Sequence, residues 1–345
     1  MSQNGHLIIE TIPSQVLRDN PLADPFERKV PVYLPPGYDE SETRYPVVYL
    51  LTGFTGRGTL LINDAAFEEN IQERLDRLIG SGAVQPMIVV MPDCFTRYGG
   101  SQYLNSSATG RYEDHLIDEL VPFIDEHYRS RAEPSYRAVA GKSSGGYGAL
   151  VQGMRHPEVF GAVACHSGDM YFDYAYKPDF IKFLDATTRH NITSYETLYY
   201  FLNGFSPKMH PKPANFFDLI HIAAMAACYS PNPASPTGFD LPFEFHTGKL
   251  RPAVWQRWLD QDPVTMLENE AHLTALRRLK LLYLDCGNRD EYALHYGARI
   301  FSQRLAGFDI PYVHEEFDGG HRSTSFRYDV SLKAISEAFG ESQSG

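Results

Sequence analysis

The pentapeptide Gly141-Lys142-Ser143-Ser144-Gly145 lies between an apolar run, Arg137–Gly141, and a helical pattern, Gly145–Arg155, that stops at Pro157. A serine at a sharp strand-to-helix turn is held in a strained backbone conformation with its Oγ exposed, and only small neighbours leave room for the turn. Gly141, Gly145 and Gly146 are those neighbours. The following helix would aim its N-terminal partial positive charge at an oxyanion forming beside the serine. Ser143 is therefore the candidate nucleophile for acyl chemistry.

A serine hydroxyl attacks poorly at neutral pH unless a base takes its proton. For a serine presented on such a turn, the acid and then the histidine follow later in the chain. After the apolar run Leu279–Asp285 comes Cys286-Gly287-Asn288-Arg289-Asp290-Glu291, and after Tyr312–Phe317 comes Asp318-Gly319-Gly320-His321-Arg322. Loops at the carboxyl ends of parallel strands are where sites are built in alternating strand–helix folds. His321 is the candidate base, because two glycines let its loop curl over the sheet. His295 and His314 fall inside a helical and a strand pattern, and His166 ends the strand after the serine helix. Asp290 is the first candidate for the acid, with Glu291, Asp285 and Asp169 as alternatives.

Developing negative charge on a carbonyl oxygen needs two backbone N–H donors. Ser144, directly after the nucleophile, supplies one. The loop Thr52-Gly53-Phe54-Thr55-Gly56, after the run Val47–Thr52, supplies the other, assigned to the Phe54 amide.

The elements that must hold these residues are legible as a rhythm. Apolar runs at Val30–Leu34, Val47–Thr52, Met87–Met91, Arg137–Gly141, Gly161–His166, Leu279–Asp285 and Tyr312–Phe317 alternate with amphipathic segments. Several runs are apolar at successive positions, the pattern of strands covered on both faces. Phe67, Ile71, Leu75, Leu78 and Ile79 share one helical face, as do Leu116, Ile117, Leu120, Val121 and Ile124, with Pro122 kinking the second or restricting where it begins. The fold class is α/β, with a mostly parallel sheet and helices on both faces. Residues 171–274 break the rhythm: the stretch holds both tryptophans, Trp255 and Trp258, many Phe, Tyr and Pro, and no comparable strand run. It is expected to be a helical and looped cap inserted into one domain spanning residues 1–345.

The chain has 345 residues, 43% hydrophobic and 21% charged, and a formal charge of −12. That charge excludes a phosphate-backbone binder, which must displace counterions with Lys and Arg. No apolar run is long enough to cross a bilayer, and the N-terminus lacks the basic and apolar regions of a secretory signal. The four cysteines have no metal-like spacing. A cytoplasmic enzyme acting on a small molecule is expected, with no nucleic acid or membrane partner and self-association left open.

These residues resemble the branch of α/β hydrolases known as the putative esterases. That branch includes the esterase D/S-formylglutathione hydrolases, feruloyl and acetylxylan esterases, and mycolyltransferases. The resemblance rests on Tyr33-Leu34-Pro35-Pro36-Gly37-Tyr38, Tyr45–Leu51, Gly53, Met91-Pro92-Asp93, Gly141–Gly146 and Gly319-Gly320-His321. It implies an α/β-hydrolase fold, a Ser143–Asp290–His321 triad, an oxyanion hole at Phe54 and Ser144, and no metal or organic cofactor. The implied activity is hydrolysis of a small or aromatic acyl ester, with acyl transfer or thioester cleavage as alternatives on the same residues. A non-catalytic binding protein on this fold would be expected to have lost the serine or the histidine.

Overall fold

The structure, a computed structural model, describes residues 4–204 and 212–340. Eight strands form the main sheet: β1 His6–Pro13, β2 Glu27–Leu34, β3 Val47–Leu51, β4 Ile88–Val90, β5 Arg137–Lys142, β6 Ala162–His166, β7 Leu281–Gly287 and β8 Val313–Phe317. Their order across the sheet is β1-β2-β4-β3-β5-β6-β7-β8. From β4 to β8 all neighbours are parallel; β1–β2 and β2–β4 are antiparallel.

Each of the seven apolar runs contributes to a strand, whereas β1 gave no such signal. Its residues are mostly half-exposed, as an edge strand paired on one side allows. The central strands are buried on both faces. Val47, Tyr49 and Leu51 of β3 join one apolar cluster, while Val48 and Leu50 join the other. This alternation follows from the two-residue repeat of a strand. The second cluster is closed by Ile71, Leu75 and Leu78 of helix Ile71–Gly80 and by Leu332, Ile335 and Phe339 of helix Arg327–Gly340. The first is closed by Leu116, Leu120 and Ile124, by Ala149–Met154, and by the segment between β6 and β7.

One local expectation needs correction. Phe67 is not on the helical face of Ile71 and Leu75: it is fully exposed, with φ +65°, and Asn70 starts the helix through a capping box with Glu73. Pro122 does restrict where an α-helix begins, one of the two outcomes expected of it. A π turn, His115–Leu120, runs into the α-helix Val121–His127 with Pro122 in its first turn, so the helical path continues across the proline.

Between β6 and β7 the chain forms seven helices among the described residues, including Lys177–Arg189, Phe216–Tyr229 and Pro252–Leu259. Among the described residues its strand pairing there is limited to the isolated bridges Pro231–Phe239 and Phe243–Leu250. Phe180 packs edge-on against Trp255 and Trp258, and Tyr176 against Trp258. Most of the segment's aromatic side chains thus build its own packing and continue the core of the sheet. No helix among the described residues is long and apolar enough to cross a membrane.

The strand order reverses direction around β3, with β4 on one side and β5 on the other. The loops leaving the carboxyl ends of β3 and β5 therefore flank the crevice where open sheets of this kind bind ligands.

Candidate active site

Ser143 stands between β5 and the helix Ser144–Arg155 with φ +59° and ψ −126°, a conformation that side-chain-bearing residues seldom adopt. Its amide donates to the carbonyl of His166 at 2.9 Å, and its carbonyl accepts from Tyr147 N at 2.9 Å. The flanking glycines are required by backbone contact. A Cβ on Gly141 would lie 2.4 Å from the Gly145 carbonyl oxygen, one on Gly145 2.3 Å from that of Leu51, and one on Gly146 2.7 Å from that of His166.

The loop after β8 brings His321 to this turn. Its Nε2 is 2.9 Å from Ser143 Oγ, and its Nδ1 is 2.7 Å from Asp290 Oδ2. Asp290 leaves the loop after β7 and is buried; its Oδ1 accepts from Tyr292 N at 2.9 Å. Burial raises the Asp290 carboxyl, but the hydrogen bond and charge of His321, with the amides of Tyr292 and Leu294, outweigh it and hold the group below its ordinary value. Three side chains 31 to 178 residues apart thus meet in one hydrogen-bonded line. A base with its far nitrogen held by an ionised carboxylate can accept a hydroxyl proton and is stabilised once charged.

The alternatives occupy other positions. Glu291 is not on the imidazole; its Oε2 accepts the backbone N–H of His321 at 2.6 Å, steadying the loop instead of the ring. Gly320 makes room for it, since a Cβ there would fall 2.7 Å from that carboxylate. Asp285 and His166 are bonded to each other, Oδ1 to Nδ1 at 2.7 Å, and His166 Nε2 lies 2.8 Å from Ser331 Oγ. Asp169 lines the cleft but binds Tyr176 and Gln102. His295 and His314 lie in the helix Leu294–Gly307 and in β8, and neither lines the cleft.

Ser144 is the first residue of its helix, so its N–H is one of the donors an α-helix leaves unpaired. Gly53, next to Phe54, abuts the nucleophile: a Cβ on it would sit 3.3 Å from Ser143 Cβ. The carbonyl of Phe54 is turned away and accepts from Gly100 N at 2.6 Å. The Phe54 ring meets His221 edge-on at 5.1 Å and Phe217 at 5.9 Å, both from the helix Phe216–Tyr229.

Around Ser143 opens a cleft of about 710 Å³. Arg322–Ser325 and the loop that precedes helix Ile71–Gly80 line it, as do Phe54, Asp169, Tyr176, Phe217 and His221, the last three from the inserted segment. Tyr176, Phe217 and His221 come from the aromatic segment and carried no signal in sequence beyond that aromatic content. Among the described residues no group of three or more His, Cys, Asp or Glu could hold a metal ion.

Comparison with known proteins gives a consistent picture. Residues 25–336 match the family described as "Putative esterase". An endo-1,4-beta-xylanase/feruloyl esterase of Xylanibacter ruminicola is 33% identical over 158 residues, 44% of this chain and 21% of that protein. An esterase of Mycobacterium tuberculosis is 38% identical over 145 residues, 40% of this chain and 28% of that protein. The chain thus matches less than a third of the length of these two curated relatives. A solved ferulic acid esterase superposes with a TM-score of 0.60 at 22% identity, covering 97% of this chain and 99% of that one. The fold is that of the α/β hydrolases.

Proposed function

Since the chain belongs to the putative esterase family, we propose that it hydrolyses carboxylic esters through an acyl-enzyme on Ser143. The observation that carries this reading is the continuous line Ser143 Oγ–His321–Asp290, at 2.9 and 2.7 Å. His321 Nε2 takes the hydroxyl proton as Oγ bonds to the ester carbonyl carbon. The displaced electron pair rests on the carbonyl oxygen, facing the amides of Phe54 and Ser144. Collapse breaks the bond to the alkoxide, which leaves with the proton from His321. Water, deprotonated by the same imidazole, then attacks the acyl carbon and releases the acid, and the proton returns to Ser143. Asp290 holds the imidazole in the tautomer with Nε2 free and stabilises the imidazolium.

The segment between β6 and β7 acts as a cap on a single catalytic domain, and its aromatic rings at the cleft suit small or aromatic acyl groups. The test is turnover of nitrophenyl esters of rising acyl length and aromatic content by the wild type and by Ser143→Ala. Wild type is expected to cleave some of them, and Ser143→Ala to lose activity by about 10⁴-fold or more without change in its circular dichroism. Undiminished turnover by Ser143→Ala would end this reading.

A further inference from the structure

Cys286 is the last residue but one of β7. It is wholly buried, and its side chain joins the apolar cluster that also holds Leu282 and Leu284, on the same face of the strand. A buried cysteine most often serves as a small apolar filler. Here the chain folds a carboxylate back onto it. Asp290 N closes a tight turn on the Gly287 carbonyl at 3.1 Å. A Cβ on Gly287 would lie 2.5 Å from the Gly319 carbonyl oxygen, so the loop that carries His321 presses on the same turn. Cys286 Sγ thereby comes to lie 3.7 Å from Asp290 Oδ2, the oxygen that also takes His321 Nδ1 at 2.7 Å.

In this contact the thiol is the donor. Burial and the charge of Asp290 push it well above its ordinary value, against the Ser167 hydroxyl beside it, so the sulfur keeps its proton. An ionised carboxylate can only accept. The Asp290 side chain is wholly buried, so no water replaces a donor that is taken away. Oδ1 is held separately by Tyr292 N at 2.9 Å, and the direction of the carboxylate therefore does not depend on the thiol. What the thiol sets is the charge left on Oδ2, because two donors on one oxygen share its lone-pair density.

We propose that Cys286 is a positioning residue of the triad that acts through Asp290: its S–H donates to Oδ2 and tempers the hold of the carboxylate on the His321 imidazolium. The catalytic meaning of this bond rests on the esterase reading above, whereas the bond itself can be read with no ester present. A tempered hold leaves more of the imidazole neutral, and so able to take the Ser143 proton, in mildly acidic solution. Lys142 at the end of β5, Asp169 after β6, and Glu291 and Arg322 in the two loops also surround this pair. Asp285 of β7 and Arg299 of the helix Leu294–Gly307 face the thiol itself. All six stay in place when Cys286 alone is changed.

The infrared S–H stretching band reads the bond directly. The chain has four cysteines, all free thiols, so subtracting the spectrum of Cys286→Ala from that of wild type isolates the band of Cys286. That band is expected at lower frequency than those of the other three, and to move up when Asp290→Asn removes the charge. In the proton NMR spectrum the low-field Nδ1–H resonance of His321 is expected to move further downfield in Cys286→Ala, since the imidazole then has Oδ2 to itself. With a nitrophenyl ester, Cys286→Ala is expected to lose about threefold in kcat/KM on the acid side of the pH profile and almost nothing on the alkaline side. A Cys286 band indifferent to Asp290→Asn, an unmoved Nδ1–H resonance, or a loss of kcat/KM equal at both ends of the profile overturns the proposal. Should Cys286→Ala not fold, Asp290→Asn alone decides, because it must then shift one of the four wild-type bands. The band and resonance as expected, with no ester cleaved, sink only the esterase reading; turnover with neither sinks only the role of Cys286.

Discussion

The carbonyl oxygen of His166 accepts the N–H of Ser143 at 2.9 Å, so the end of β6 grips the backbone of the strained turn. The same residue's imidazole is locked between Asp285 Oδ1 at 2.7 Å and Ser331 Oγ at 2.8 Å, and Asp285 Oδ2 takes Arg327 Nε at 2.7 Å. Serine, histidine and carboxylate meet here too, yet Ser331 is wholly buried and no ester can reach it. The set is a brace joining β6, β7 and the helix Arg327–Gly340 under the nucleophile.

His166→Ala would take the partner from Asp285 Oδ1 and Ser331 Oγ and leave a void where the ring met Tyr283 and Tyr328. A loss of about 2–4 kcal/mol in urea unfolding is expected. In the fraction that stays folded, kcat should fall while KM holds, because the turn is loosened and the cleft is not. Unaltered stability and kcat would show that the brace carries nothing.

Ser143→Gly separates strain from chemistry. At φ +59° and ψ −126° the serine costs about 1–3 kcal/mol, which glycine avoids. Glycine's freer unfolded chain gives back about 0.5–1 kcal/mol. The variant should be inactive but about 1 kcal/mol more stable than wild type by urea unfolding. A less stable glycine variant would mean that the turn is not strained.

Asp290→Asn should keep the geometry but favour the wrong imidazole tautomer, lowering kcat by about 10³–10⁴-fold. Glu291→Gln, whose carbonyl can still accept the amide of His321, should lose far less. Equal losses would instead make Glu291 part of the acid function.

How much of this was legible in sequence depended on whether the deciding force was local. The runs of the central strands marked them because burial on both faces leaves a continuous apolar pattern. β1, paired on one side only and mostly half-exposed, lacked that pattern. The Gly141–Gly146 turn was readable because backbone carbonyls of Leu51 and His166 forbid a Cβ there. Ser143, Asp290 and His321 could be picked from loop positions after strands, and the coordinates bring them within bonding distance. What stayed hidden was pairing across long separations. Nothing local told that Asp285 and His166, each a rival for a site role, bind one another. Nor did the sequence indicate that Glu291 would hold the amide of His321. The Phe67 error came from extending a helical period past Asn70, which stops it by capping.

Acid should weaken the N-terminal region through Glu119. Burial raises its carboxyl, but hydrogen bonds from His115, Ser14 and the amides of Val16 and Gln15 prevail and bring it down to about 2, from an ordinary 4.5. The folded state thus holds fewer protons than the unfolded one between those values. Its stabilisation is complete above about pH 4.5 and fades as pH falls toward 2. Glu119→Gln should cost about 1.5–3 kcal/mol at neutral pH, and clearly less at pH 3, by urea unfolding. A cost independent of pH would rule out the carboxylate's charge as the cause.

Gly99 tests the assignment of the Phe54 amide from a distance. It has φ +122°, and a Cβ there would fall 2.4 Å from the Phe54 ring. The neighbouring Gly100 N also holds the Phe54 carbonyl at 2.6 Å. Gly99→Ala must therefore shift the ring and drag the Phe54 peptide off its line to the oxyanion. Losing one such donor costs about 10²–10³-fold in kcat, so a fall of that order with KM little changed is expected. Phe54→Leu is the control, since it alters the ring but keeps the amide, and should retain most of kcat while changing acyl preference. If Phe54→Leu lost kcat as deeply as Gly99→Ala, the ring and not the amide would be the part that matters.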